Sequence, residues 1–149
     1  MNDSNEILGK ILDVIKETAN ERIAQINSDK GLSIEPIQEI DIGYKDILTG
    51  LRNYPALVLL EKRRVTDDYW FTQFNLLLGF AFKSGMPEQM LEFGQYYKDI
   101  IEWAIISDHT FGGVCLDSNN MTMEDAYTSD IYVISTEFTV TCDRRLADG

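Results

Sequence analysis

Over residues 69–83, YWFTQFNLLLGFAFK, side chains alternate with period two. Trp70, Thr72, Phe74, Leu76, Leu78, Phe80 and Phe82 fall on one face; Phe71, Gln73, Asn75, Leu77, Gly79 and Ala81 fall on the other. This is the signature of a β-strand, rich in aromatics and apolar on much of both faces. At roughly 3.3 Å per residue it would reach about 45–50 Å if straight. A compact chain of this size is about 35–40 Å across. The strand is therefore expected to bend, with Gly79 the candidate position, or to project beyond its own domain. A projecting apolar strand needs a partner. The expectation is that residues 70–74 leave the core and meet another subunit, while residues 76–82 pack under helices.

The flanking pattern predicts two helices and a second long strand. From residue 5 to residue 28 the apolar residues Ile7, Leu8, Ile11, Leu12, Ile15, Ala19, Ile23 and Ile26 recur at helical spacing, which gives one face to bury. Asp3 and Glu6 stand at capping-box spacing, and Ser28, Asp29, Lys30 and Gly31 supply a stop. Within residues 34–44, Ile40 and Ile42 alternate with Glu39, Asp41 and Gly43, predicting a short half-exposed strand; Pro36 confines its start to an edge or a strand beginning. Residues 45–53 are ambiguous, with a helical turn around Ile47, Leu48 and Leu51 as one reading. Residues 54–64, apolar from Ala56 to Leu60, read as a strand buried on both faces. A short link, residues 65–68, joins it to the long strand as a hairpin.

Residues 86–107 predict the second helix, capped by Ser84 or Gly85, with Pro87 and Glu88 in its first turn. Its inward stripe is Met90, Phe93, Tyr97, Ile100, Ile101 and Ala104, while Tyr96, Trp103 and Ile106 fall off it. Residues 114–116 are expected to form a strand, residues 117–120 a polar turn, and residues 130–144 a last long strand. Tyr132, Ile134, Thr136, Phe138, Val140 and Cys142 make that strand's apolar face. Helices and strands are segregated in the order α, β, β, β, α, β, β. This predicts an α+β fold, with helices packed on one face of a mostly antiparallel sheet that includes a long β-hairpin.

Composition then narrows the function classes. The 149 residues are most simply one domain covering 1–149. No apolar run approaches a membrane span, and the polar start MNDSNEILGK lacks the features of a secretory signal, so a cytosolic protein is expected. The net charge of −12 argues against a general nucleic-acid binder and against anionic membrane surfaces. It serves solubility, or a surface past which DNA slides without sticking. Cys115 and Cys142 read as buried thiols in a reducing compartment, with a disulfide between neighbouring strands as the alternative.

Candidate chemistry is sparse. The one histidine, His109, sits at a helix end, where it complements the dipole; a Cys–His pair is left open. There is no Cys-x-x-Cys and no histidine pair for a metal. Asp117, Asn119 and Asn120 lack the glycine and terminal glutamate of a calcium loop and read as a turn. Gly112-Gly113 follows a helix, the wrong polarity for a phosphate cradle. Asp67-Asp68 and Glu124-Asp125 are expected in solvated loops. The sequence thus predicts no enzyme, no cofactor and no metal.

The interface candidates are Arg63, Arg64, Asp67, Asp68 and Trp70 around the hairpin tip, with Tyr96 and Trp103 on the second helix. Aromatics on a polar face anchor interfaces, unless the first helix covers them. The basic groups at residues 62–64 and 144–145 either meet acidic surfaces on neighbouring copies or protect strand edges.

The order of elements also carries a resemblance. An amphipathic helix leads to Tyr54-Pro55 and an apolar strand; a long hairpin, a helix and two strands follow, ending in EFTVTCDRR. Over roughly residues 34–145 this resembles the small tail-terminator and tail-completion (head–tail joining) proteins of tailed bacteriophages and prophages. The resemblance is one of pattern and brings no catalytic residue. It implies a structural virion protein, assembled in the host cytoplasm, whose ring (commonly a hexamer) caps the tail tube at the neck. Such a ring ends tube polymerisation, contacts tail-tube and head-connector proteins, and lets DNA pass through its lumen. Head-to-tail rings need contacts between unlike surfaces, which long strand edges supply by strand addition. A different class also fits the residues: a dimeric α+β domain binding a small apolar ligand beneath its helices, with residues 70–82 lining the pocket.

Overall fold

Period-two alternation becomes one-sided burial. The computed structural model describes residues 3–43, 46–67, 70–84 and 86–145. In it, helices α1 (Ser4–Lys30) and α2 (Pro87–Ile106) pack on strands β1 (Glu39–Asp41), β2 (Ala56–Thr66), β3 (Phe71–Lys83), β4 (Asp117–Tyr127) and β5 (Ile131–Asp143). The strands form one sheet in the order β1-β2-β3-β5-β4. β1 runs parallel to β2, and every other neighbouring pair is antiparallel. The chain is an α+β protein with β2–β3 and β4–β5 hairpins.

The core lies between the helices and one sheet face. Thr72, Phe74, Leu76, Leu78, Phe80 and Phe82 of β3 are all buried, as are their partners Cys142, Val140, Phe138, Thr136, Ile134 and Tyr132 on β5. Leu57 and Leu59 of β2 extend the layer, and the stripes of α1 and α2 close it. On the opposite face, Leu51, Ile47 and Tyr54 cover the patch around Ala56 and Val58, and Ala81 beside it is buried too. Beyond them Leu60, Val65 and Phe71 are 37, 38 and 36 % exposed.

The long strand's pairing is unbroken at Gly79, and its first residues do not leave the core. Gly79 pairs with Val58 on one side and Ser135 on the other, without interruption. Thr72 and Phe74 are 1 and 0 % exposed, so residues 70–74 are not a projecting end. The lengths of helix and strand allow this burial. The 27 residues of α1 reach about 40 Å at 1.5 Å per residue. The 13 residues of β3 reach about 43 Å, so the helix can cover the strand from end to end. Register shifts fall instead on β2, between Glu61 and Arg63, and on β4.

The fourth strand is also displaced from expectation. Residues 114–116 form a loop, closed by the Cys115 N–H donating to the Thr110 carbonyl at 2.9 Å, and Val114 and Cys115 are buried in it. Residues 117–120, expected as a turn, begin β4, and Glu124 and Asp125 lie within that strand, not in a loop. A bulge between Asn119 and Thr122, with Asn120 at φ 57°, breaks the alternation. That break hides the strand from a period-two reading.

Three side chains hold residues 34–37 extended between α1 and the sheet. Asn27 donates to the Ile34 carbonyl at 2.9 Å and accepts from its N–H at 2.8 Å. Asn20 does the same for Ile37 at 3.3 and 2.7 Å. The Tyr97 hydroxyl donates to the Glu35 carbonyl at 2.7 Å. These bonds satisfy backbone groups that have no strand partner and let Ile34 and Ile37 enter the core. Asp3 caps α1 by accepting from the Glu6 N–H at 2.9 Å. The N-cap of α2 is Met86, whose N–H donates to the Ser84 hydroxyl at 3.2 Å; Gly85, the other cap candidate, lies outside the described residues. Tyr44 and Lys45 lie outside them too, and residues 47–49 form a turn held by the Asp46 carboxylate accepting from the Leu48 N–H at 2.7 Å.

Two substitutions test this packing with opposite expected signs. A Cβ at Gly94 would sit 2.5 Å from the Tyr132 ring, which also packs on Phe82 and bonds to Asp125. Gly94→Ala is expected to destabilise by about 1–2 kcal/mol in urea unfolding, because overpacking outweighs alanine's gain of about 1 kcal/mol in helix propensity. The Thr136 hydroxyl is buried and has no hydrogen-bond partner among the described residues. Thr136→Val is expected to raise stability by about 1 kcal/mol in the same measurement.

Candidate functional site

The β2–β3 hairpin brings most of its predicted interface residues to one end of the sheet. Arg63 is exposed on the helix-free face and makes no ion pair among the described residues. Arg64 points the other way: its guanidinium donates to Glu61 at 2.5 and 2.7 Å and lies 5.0 Å from the Phe74 ring centre. Asp67 is exposed, and its N–H donates to the Phe71 carbonyl at 3.3 Å. Asp68 lies outside the described residues. Trp70 is half-buried beneath Arg145, whose guanidinium stands 5.3 Å from the Trp70 ring and 5.9 Å from Phe71.

Arg145 also grips Asp143 with two bonds, at 2.9 and 2.7 Å. The hydrogen bond from Arg145 holds the Asp143 carboxyl below the usual carboxylate range. The Arg144 N–H donates to the Trp70 carbonyl at 2.9 Å. The two basic groups thus have different surroundings: residues 62–64 lie along β2, and Arg145 closes over the aromatic start of β3. Sequence spacing carries no sign of this second contact, since Trp70 and Arg145 stand 75 positions apart.

Tyr96 and Trp103 lie in the helix layer, away from the hairpin. With Ile106 of α2 and Arg22, Ile26 and Lys30 of α1 they line a groove of about 340 Å³. Tyr96 is half-buried against the core. Trp103 is 45 % exposed and lies 5.3 Å below the Arg22 guanidinium, so α1 covers it in part.

Sheet order exposes features that the sequence did not single out. β1 pairs only with Ala56, Leu57 and Val58, so the outer edge of β2 along Glu61, Lys62, Arg63 and Arg64 has no strand partner among the described residues. β4 is the other outermost strand and carries Asp117, Glu124 and Asp125. The stretch of β2 beyond the acidic β1 (Glu39, Asp41) is therefore a basic edge, and β4 an acidic one. Lys62 reaches over β3 to Glu137. Lys98 stands 3.1 Å from Asp125, which also accepts from the Tyr132 hydroxyl. The bond from Tyr132, then that from Lys98, hold the Asp125 carboxyl below its usual range. Glu124 is exposed and has no ion pair among the described residues.

The groups with catalytic potential differ in exposure. His109 is exposed, whereas Cys115 and Cys142 are buried and face each other with sulfurs 3.2 Å apart. The contact with Cys142, and then burial, push the Cys115 thiol up. Asp108 organises the preceding loop, accepting from the Thr110 N–H, the Thr110 hydroxyl and the Gly112 N–H at 2.9, 2.8 and 2.8 Å. These bonds hold its carboxyl below the usual range. Among the described residues no group of three or more His, Cys, Asp and Glu is placed to hold a metal. Among the described residues no helix is long and apolar enough to cross a membrane. The aromatic face of β3 is packed: Tyr97 lies 4.7 Å from both Phe80 and Phe82, and Tyr132 lies 5.5 Å from Phe82, ring centre to ring centre. No protein-family model matches the chain, and a search of curated proteins finds no match.

The cysteine pair has a direct test. Oxidised glutathione is expected to convert the two thiols to one intramolecular disulfide; two electrons pass to the glutathione disulfide, which leaves as two glutathione thiols. Mass spectrometry of a non-reduced digest should find Cys115 linked to Cys142. The link closes a span of 27 residues, so the oxidised protein should unfold at higher denaturant concentration. Cys142→Ser should abolish both effects.

Proposed function

We propose that this chain is a structural subunit that assembles head-to-tail into a ring, of the tail-terminator or tail-completion kind found at the head–tail joint of phages and prophages. The observation that carries this reading is a sheet left incomplete within one chain. One face is sealed by helices, the other exposes Leu60, Val65 and Phe71, and the two outer edges lack strand partners among the described residues. A sheet with free edges is a template for another chain. Its two edges differ, so contacts between them are heterologous and close into a ring when the rotation allows.

In this role the subunit ends tail-tube polymerisation, meets tail-tube and head-connector proteins, and surrounds the passage for DNA. The charge of −12 suits a lumen that DNA must cross without sticking. The role calls for no catalysis. The ligand-binding alternative has less support, because side chains fill the space beneath the helices that an apolar ligand would occupy.

The size distribution tests the reading. Sedimentation and light scattering of the purified protein are expected to show a discrete oligomer with an annular outline in electron micrographs, either alone or after mixing with tail tubes. A monomer at every concentration, both alone and with tubes, would overturn it.

A further inference from the structure

We infer that the free edge of β2 pairs antiparallel with the β4 edge of the next copy, placing Arg63 opposite Glu124 across the contact. This rests on the ring reading above and names the surface through which the ring closes.

Strand direction is the first argument. β2 is antiparallel to β3, β3 to β5, and β5 to β4, so β2 and β4 point in opposite directions. A second copy rotated about an axis along the strands therefore brings its β2 antiparallel to the first copy's β4. Its helices stay on the same side of the continued sheet. Repetition of that rotation is a cyclic operation and leaves no copy inverted.

Charge selects the pairing. The β2 edge carries Lys62, Arg63 and Arg64 with one acid, Glu61. The β4 edge carries Asp117, Glu124 and Asp125 and no base. Two β2 edges repel each other, as do two β4 edges, because like charges opposite one another across strands are destabilising. Only the mixed contact is attractive, so the same charges that block isologous pairing favour the head-to-tail one.

The residues left over fix the register. Lys62 is committed to Glu137, Arg64 to Glu61, and Asp125 to Lys98 and Tyr132. Arg63 and Glu124 are exposed and have no such partner among the described residues. Both face the helix-free side: Arg63 pairs with Asn75, and Glu124 pairs with Ser135. Setting Arg63 against Glu124 puts Val65 opposite Thr122 on that side and Arg64 opposite Met123 on the helix side. Each residue keeps its face, as a continuous sheet requires.

Charge reversal tests the contact. Arg63→Glu and Glu124→Arg are each expected to weaken self-association about tenfold, the loss from turning an attractive cross-strand pair into a repulsive one. The double variant should associate to within about threefold of wild type, and an equimolar mixture of the two single variants should also reassemble. Both sites are exposed, so monomer unfolding should be unchanged, which separates lost assembly from lost folding. Amide exchange at residues 61–66 and 120–127 should slow in the wild-type oligomer relative to the dispersed single variants. A wild-type chain that never assembles would sink the ring reading and this contact together. Assembly that both single variants retain, or that neither the double variant nor the mixture restores, would overturn the contact and leave the ring reading standing.

Discussion

Helices cover one face of the central β3–β5 pair and only that face, and the rest of the structure follows from this constraint. The two strands present a continuous apolar surface from Thr72 to Phe82 and from Tyr132 to Cys142. A surface about 40 Å long needs a large cover, which the buried stripes of α1 and α2 supply together. The fit also explains the close approach at Gly94, where α2 sits against the Tyr132 ring. The opposite face receives only the short patch formed by Ile47, Leu51 and Tyr54. An antiparallel sheet tolerates such an arrangement because its second face can be solvated.

The connection from α1 to β2 decides where the sheet stops. Asn20, Asn27 and Tyr97 bond to the backbone of Ile37, Ile34 and Glu35 and hold the chain along the helix layer. Only at Glu39 does it reach the sheet, as a parallel strand of three residues. The rest of β2's outer edge is thereby left without a strand among the described residues. That edge is the basic one, and the acidic edge lies at the far side of the sheet. Burial of apolar surface and placement of charge thus act at different levels: the first makes the fold, and the second governs which surfaces of two copies attract.

Much of the fold was legible because it is local. The 3.6-residue stripes of both helices and the alternation of β3 and β5 reported the buried faces before any contact was known. β4 was hidden because an edge strand with one solvated face and a bulge at Asn119 has few apolar positions and no steady period. The candidate site was legible only in part. The run from Lys62 to Arg64 and the aromatics Trp70 and Trp103 stood out by composition. The stacking of Arg145 on Trp70 did not, because it depends on β5 lying beside β3.

The sequence by itself determined the kind of every element but β4, the apolar side of the helices, β3 and β5, and the acidic balance. Each is a property of residues close together along the chain. Tertiary structure alone decided that β5 separates β3 from β4, that β1 is too short to close β2, and that the basic and acidic strands lie at opposite edges. These are pairings between distant segments. They are set by which surfaces bury most completely together and by register across the sheet, and no local pattern records them.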